Sequence, residues 1–383
     1  MSALTDVFTA IANAIRGKNG LSTTYKPNQM AQAITDIPSG ASLDAIGYMS
    51  GSATLIKDTD DGIKVLIFPN PFPVPNAQIH SLVYNNESNR DEFLIGFQTT
   101  IQPYPIYRIK SDDTLEAISI SGFANRGCSR LRKLDMGSYT SYPKFYFLAN
   151  GSTDVQNKIV KSVDGVTWST ETITFSSSAP SSIIYNDIAF SPQSNMYVAI
   201  SYNITTGRVI YRKGTQSTWT LISLSMQFQV NSVAYGHGRF VIVGTTGRIV
   251  YSNSGTSAPT SWTPVNNSSF STVSFQYVDW VEELSSFVCM CGNTSTVVFL
   301  EVTSNGTVKA PIVMNITGLK YAYQAIYNPR TEKVEMLGLA TTVGTYQHNV
   351  IVEFTGEVAS LNYTIKSLGV SNVATSVAYK PIS

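Results

Sequence analysis

The sequence predicts a mainly β protein: a seven-bladed β-propeller, its first blade closed by the C-terminal strand, preceded by a short N-terminal α-helical module. Three observations carry this. A short strand ending in an aromatic or bulky apolar residue recurs seven times, every 45–56 residues or so. A tight polar turn recurs in step with it. The last copy of the first strand stands alone near the C-terminus, and its missing partners stand at 45–68.

The first strands are expected at 80–84, 130–134, 186–190, 231–235, 276–280, 323–327 and 375–379, of which 130–134 is degenerate. Second strands follow at 93–97, 145–148, 196–200, 240–244, 287–291 and 334–338. The seventh is 45–49. The turns between third and fourth strands are Asp61-Gly62, Asp112-Asp113, Asp164-Gly165, Gly214-Thr215, Ser254-Gly255, Asn305-Gly306 and Thr355-Gly356. Such pairs tolerate the positive φ of short hairpin turns. Their flanks are rich in Val, Ile, Tyr, Phe and Thr, which suit a pleated strand. Four antiparallel strands per repeat point to a radial array. A β-sandwich or a β-helix gives no reason for a split repeat, whereas a ring locked by its two chain ends does, because it hides two sheet edges.

The 383 residues carry a formal net charge of +1, and only 13% are charged. That balance offers no basic face for nucleic acid. Ser, Thr, Asn and 21 tyrosines give a neutral, hydrogen-bonding surface suited to polar polymers. Cys128, Cys289 and Cys291 are too few for a disulfide framework. Cys289 and Cys291 share a strand face and should pack as small apolar residues. Three dispersed histidines suggest no metal site, and no cofactor is expected. No apolar run is long enough to span a bilayer, and the N-terminus lacks the pattern of a signal peptide.

Residues 1–40 stand apart from the repeat, which occupies 41–383. Leu4, Val7, Phe8, Ile11 and Ile15 fall at helical spacing between Ala3 and Arg16. A second helix is expected from Pro27 to about Asp36, carrying Met30 and Ile34. Helices this short cannot bury an apolar stripe alone. They either dock on the ring's side or associate with copies of themselves or another protein. The Pro38-Ser-Gly40 linker favours association.

Ile11-Ala-Asn-Ala-Ile-Arg-Gly-Lys-Asn-Gly20 followed by Tyr25-Lys-Pro-Asn-Gln-Met-Ala-Gln-Ala-Ile34 resembles a module near the N-termini of bacteriophage tail and tail-fibre proteins. Ser232–Gly244 and Ser162–Trp168 resemble propeller repeats of phage receptor-binding proteins. The resemblance implies a virion tail component made in the bacterial host cytoplasm. It implies attachment to tail or baseplate proteins through the N-terminus, a homotrimer, and contact with host surface polysaccharide. A propeller glycosidase acting on envelope carbohydrate and a structural virion decoration are the alternatives.

Ser162-x-Asp164-Gly-x-Thr-Trp168 also resembles the Asp-box of sialidase-type propellers, a structural hairpin with no catalytic part. Trp219 and Trp262 occupy the equivalent place in the next two repeats. Arg126, Arg130 and Arg132 are the only dense arginine group. Asp60-Asp61, Asp112-Asp113 and Glu282-Glu283 fall in expected turns, where solvated turn formers are the simpler reading than an acid/base pair. No catalytic set emerges, so the expectation is not an enzyme. The candidate receptor-binding residues are Tyr104, Tyr202, Tyr346 and His348 in loops between second and third strands, and Phe72 in the Pro-rich loop at 70–75. Aromatic rings with a polar tip suit sugar stacking and anchoring. Packing against neighbouring loops is the alternative.

Overall fold

Apolar residues alternate or run unbroken along nearly every strand, and the way they are buried sets the architecture. The computed structural model describes residues 45–49, 52–59, 62–69, 79–97, 104–112, 114–124, 126–149, 156–176, 183–202, 207–214, 216–223, 228–252, 258–292, 294–328, 331–340, 349–367 and 376–378. The described strands form seven sheets. Six are made from contiguous chain. Their first strands are Ile79–Asn85, Cys128–Lys133, Ile184–Ser191, Val230–Gly236, Phe275–Val281 and Leu319–Asn328. The remaining sheet is composite: Ser376–Val377 pairs antiparallel with Ala45–Met49, which leads into Ser52–Thr59 and Gly62–Pro69. Each first strand touches the first strand of the next sheet, and Ser376–Val377 touches both Leu319–Asn328 and Ile79–Asn85. The sheets therefore close in a circle, with first strands innermost, as in a β-propeller.

The strands at 80–84, 186–190, 231–235, 276–280 and 323–327 stand within inner strands, as expected. The degenerate copy also forms a strand, but shifted: it runs Cys128–Lys133 and leaves Leu134 just beyond its end. The expected module at 1–40, with Leu4, Val7, Phe8, Ile11, Ile15, Met30 and Ile34, lies outside the described residues, as does its boundary with the repeat. The helices among the described residues are single 3-10 turns, such as Glu87–Asn89 and Glu282–Leu284.

Burial is between sheets rather than within them. One cluster joins Met196, Val198 and Val209 of one sheet to Val233, Phe240 and Ile242 of the next. Another joins Val288, Met290 and Phe299 to Ala325, Met336 and Val352. A sheet with both faces covered needs apolar residues on both, which explains fully buried runs such as Glu92–Phe97 and Ser286–Cys291. Cys289 and Cys291 join one such cluster. Burial pushes the Cys291 thiol up to about 12, so it stays protonated and packs as a small apolar group.

Turn chemistry follows the sequence. Gly306 and Gly356 take φ of 80° and 96° in their hairpins. Asp164 caps the Asp-box turn: its Oδ1 accepts from the backbone N–H of Val166 at 2.9 Å and of Thr167 at 2.8 Å. Trp168 Nε1 donates to Gly165 O at 3.1 Å, and the ring packs against a cluster shared by two sheets. The structural reading of this motif is the one its geometry supports. The turns at 60–61 and 254–255 lie outside the described residues.

One feature of the fold bears directly on the channel. The inner strand shifts register against the second strand in all six contiguous sheets, once in five of them (Ile79/Ser81, Cys128/Arg130, Tyr185/Asp187, Val230/Ser232 and Phe275/Tyr277) and twice in the sixth (Leu319/Tyr321 and Ala322/Gln324). Such a bulge re-aims the side chains beside it. Inner strands also have an unpaired edge, whose N–H groups need acceptors. Side-chain oxygens of the preceding sheet supply them. Ser81 Oγ accepts from Leu131 N at 3.1 Å, Asp187 Oδ2 from Val233 N at 3.2 Å, Ser232 Oγ from Val278 N at 3.2 Å, and Asp279 Oδ2 from Ala325 N at 3.1 Å. The ring is stitched around its axis by these bonds.

Candidate functional site

Charged residues replace small or apolar ones at a few inner-strand positions, and the ring brings them together. Arg132 donates to Asp187 through a two-pronged bond, Nε to Oδ1 at 2.8 Å and Nη2 to Oδ2 at 2.7 Å. Its Nη1 reaches Asp279 Oδ1 at 3.1 Å, from a strand across the channel. Asp187 is fully buried and also accepts from Ser232 Oγ at 2.7 Å. Burial pushes its carboxyl up, but Arg132 and Arg130 together with those hydrogen bonds outweigh it, and the net direction is down. Asp187 is thus held as a carboxylate, and one guanidinium bridges it to Asp279.

Two cavities adjoin this charge network, and Arg132 and Asp279 line both. The smaller, about 220 Å³, is bounded by Ser81, Arg130, Arg132, Asp279, Tyr323 and Gln324. The larger, about 450 Å³, lies where the inner strands end, bounded by Asp135, Phe190, Tyr235, His237, Trp280 and Glu282 among others. In that larger cavity Glu282 does more than sit solvated in a turn. Its Oε2 accepts from Trp280 Nε1 at 2.6 Å, and its Oε1 is 3.0 Å from His237 Nε2. His237 Nδ1 lies 2.8 Å from Val302 O. Trp280 is held tightly: a Cβ on Gly236 would stand 1.9 Å from its ring. These side chains hydrogen-bond one another, while Glu282 itself stays largely exposed.

At the opposite end, where inner strands begin, tyrosines dominate. The Tyr277 and Tyr323 rings meet edge-on at 6.1 Å, Tyr321 stands beside Tyr323, and the Arg130 guanidinium lies over the Tyr277 ring at 4.7 Å. Loops between second and third strands open on this same end, because each second strand runs antiparallel to its inner strand. Tyr104 and Tyr202 therefore face the same side of the molecule as this tyrosine cluster. Tyr104 stands two residues before Ile106–Ile109 and is 38% exposed, with its ring edge-on to Tyr107 at 6.1 Å. Tyr202 is the last residue of Met196–Tyr202, paired with Ile184, rather than a loop residue. Phe72, Tyr346 and His348 lie outside the described residues. Neither cavity is lined by Tyr104.

The grouping of Arg130, Arg132, Asp187, Asp279 and Tyr277 was not foreseen. A signal existed for two of them: Arg132 stands where the other copies have Leu82, Ile188, Val233, Val278 and Ala325, and Asp279 where four have Val83, Ala189, Ala234 and Ile326. Their meeting did not show, because Arg132 is 147 residues from Asp279. The arginine group does not act as a unit either. Arg130 and Arg132 converge on the channel, whereas Arg126 lines neither cavity.

No protein-family profile matches the chain, and no curated protein matches it by sequence. Solved structures do match in shape. A putative 6-phosphogluconolactonase from Bacteroides uniformis aligns with a TM-score of 0.54 at 9% identity, over 88% of this chain and 99% of its own. YCF48 bound to D1 peptide gives 0.50 at 13%, over 79% and 90%. The β-propeller domain of Cps50 (Swd1) from Myceliophteria thermophila gives 0.50 at 11%, over 80% and 91%. At these identities the likeness is one of fold and nothing finer: the chain is a mainly β protein with a β-propeller fold.

Proposed function

We propose that this chain is a binding protein, a virion tail fibre or receptor-binding component that attaches to a carbohydrate of the bacterial surface. The observation that carries the reading is an exposed Tyr104 on the face where a tyrosine-lined channel end opens. Two further features support it. The surface is nearly neutral and rich in hydroxyl and amide groups, and the sequence at 11–34 resembles tail attachment modules. In this reading residues 1–40 join the chain to the tail and to two further copies, and multivalency raises a weak single-site affinity. We further propose that the composite sheet acts as a seventh, ring-locking blade rather than as a clasp on a six-bladed ring.

The test is retention on purified host wall polysaccharide by the full chain and by Tyr104→Ala, Tyr202→Ala and Tyr346→Ala. Weakened retention for at least two of them, with unchanged thermal unfolding, is the expected result. Equal retention by all three moves the site off this face, and failure of the soluble protein to block adsorption of virions ends the receptor reading. Release of reducing sugar during the same incubation would favour a glycosidase instead. For the attachment role, deleting residues 1–40 should lower the mass in solution and abolish virion incorporation.

A further inference from the structure

The charge network in the channel is uneven in a way that its structural role does not explain. Two arginines point at the axis, yet only Arg132 forms hydrogen bonds with the carboxylates there. Arg130 comes no nearer than 3.7 Å, from its Nε to Asp187 Oδ2. That Nε is buried with no hydrogen-bond partner among the described residues. The Arg130 side chain is 12% exposed and its guanidinium lies flat on Tyr277. A guanidinium stays protonated at any working pH; Asp187 at 3.7 Å gives Arg130 a partner of opposite charge, but its buried Nε–H still needs a hydrogen-bond acceptor. Stacking on Tyr277 compensates part of the charge. The remaining edge borders the 220 Å³ cavity, whose wall also carries Tyr323, Gln324 and Ser81.

We propose that Arg130 receives the oxyanion of an anionic sugar substituent, a carboxylate or a phosphate, inserted into this cavity from the tyrosine-bearing face. The cavity has room for one small group and not for a polymer backbone. The polymer would lie across the loops while one charged substituent reaches Arg130. A planar guanidinium offers parallel N–H donors that match two oxygens of such a group. Asp279 also lines the cavity and Asp187 lies near Arg130; Arg132 donates hydrogen bonds to both carboxylates, which offsets the repulsion they present to an arriving anion. The inference deepens the carbohydrate-binding reading and rests on it for the identity of the ligand, not for the existence of the anion site.

The experiment is calorimetric titration of the full-length protein with three probes: glucuronate, glycerol 1-phosphate and glucose. Glucuronate or glycerol phosphate should bind saturably, and glucose should not. The anion that binds names the source of the oxyanion. Arg130→Gln should weaken the binding at least about tenfold, and Arg130→Lys, which keeps the charge but not the fork, by less. The Lys variant also serves if the Gln variant does not fold. Equal anion affinity in wild type and Arg130→Gln, or no saturable binding of either anion to the wild type, overturns the proposal. Anion binding lost in Arg130→Gln alongside a failure to bind any envelope polysaccharide leaves the anion site standing and removes the receptor reading.

Discussion

Asp187 shows how one side chain can serve two ends at once. It accepts a backbone N–H from the neighbouring sheet and forms the two-pronged bond with Arg132. Truncating one partner of a buried ion pair leaves the other uncompensated, so Asp187→Ala should cost about 3–5 kcal/mol of stability at neutral pH, measured by urea denaturation. The pH dependence has a definite sign. The folded carboxyl lies below its ordinary value, near 3.9 for Asp. Its contribution is therefore complete above about pH 4 and is lost as pH falls through the folded value. The gap between wild type and variant should close in acid; a gap of equal size at pH 7 and in acid would mean that charge is not its source. The residue scale was also the least legible from sequence. Asp164 and Trp168 could be placed because their partners lie within four residues. Arg132 and Asp187 could not, since no spacing rule links inner strands that meet only once the ring has closed.

At the scale of strands, legibility was far better. Alternation and turn pairs act over five to ten residues, which is the range in which strands and hairpins are decided. The second strands expected at 196–200, 240–244 and 287–291 all stand where the spacing placed them. Where 130–134 slipped, the cause is composition: Arg, Arg and Lys mask the apolar pattern, and Cys128 rather than Leu134 opens or closes the pairing. Tyr202 slipped the other way, because pairing with Ile184 extends its strand to the loop position. Between elements, Trp219 is a joint. Its ring is almost wholly buried, its Nε1 donates to Glu171 of the preceding sheet at 3.0 Å, and the Arg212 guanidinium covers it at 4.8 Å. Glu171 also takes Arg212 itself. Three residues after Glu171, Thr174–Phe175 leaves its own sheet and pairs parallel with Thr218–Trp219. Trp219→Ala should therefore cost about 3–5 kcal/mol in denaturant unfolding, with glucuronate affinity unchanged, since the channel lies on the far side of its sheet. A variant that unfolds like the wild type would show the joint to be slack.

For the whole molecule, the ring is a set of interfaces in series, each resembling its neighbours, and one of them is different in kind. The composite sheet depends on two residues, Ser376 and Val377, pairing with Ile46 and Ala45. Ala378 then packs, buried, with Leu82, Phe93 and Tyr107 of the adjoining sheet. Deleting residues 371–383 should remove this closure, lower the thermal midpoint and expose apolar surface to a hydrophobic dye. An unchanged midpoint would show that closure adds nothing. That the chain is a mainly β propeller was legible from the repeat, whereas the channel's contents were not, since they belong to the ring as a whole and to no single repeat.

The same composite sheet imposes a timetable. A ribosome extends a chain at roughly 5–20 residues per second, and some three hundred residues separate Gly62–Pro69 from Ser376–Val377. The inner edge of Ala45–Met49 must therefore wait about 15–60 s for its partner. Throughout that interval the nascent ring is an open arc with two unpaired strand edges, the condition in which chains pair with the wrong neighbour. Several copies being made close together could capture one another's edges before their own strand arrives. Synthesis of Ser376–Val377 is thus the moment at which the composite sheet can form within its own copy.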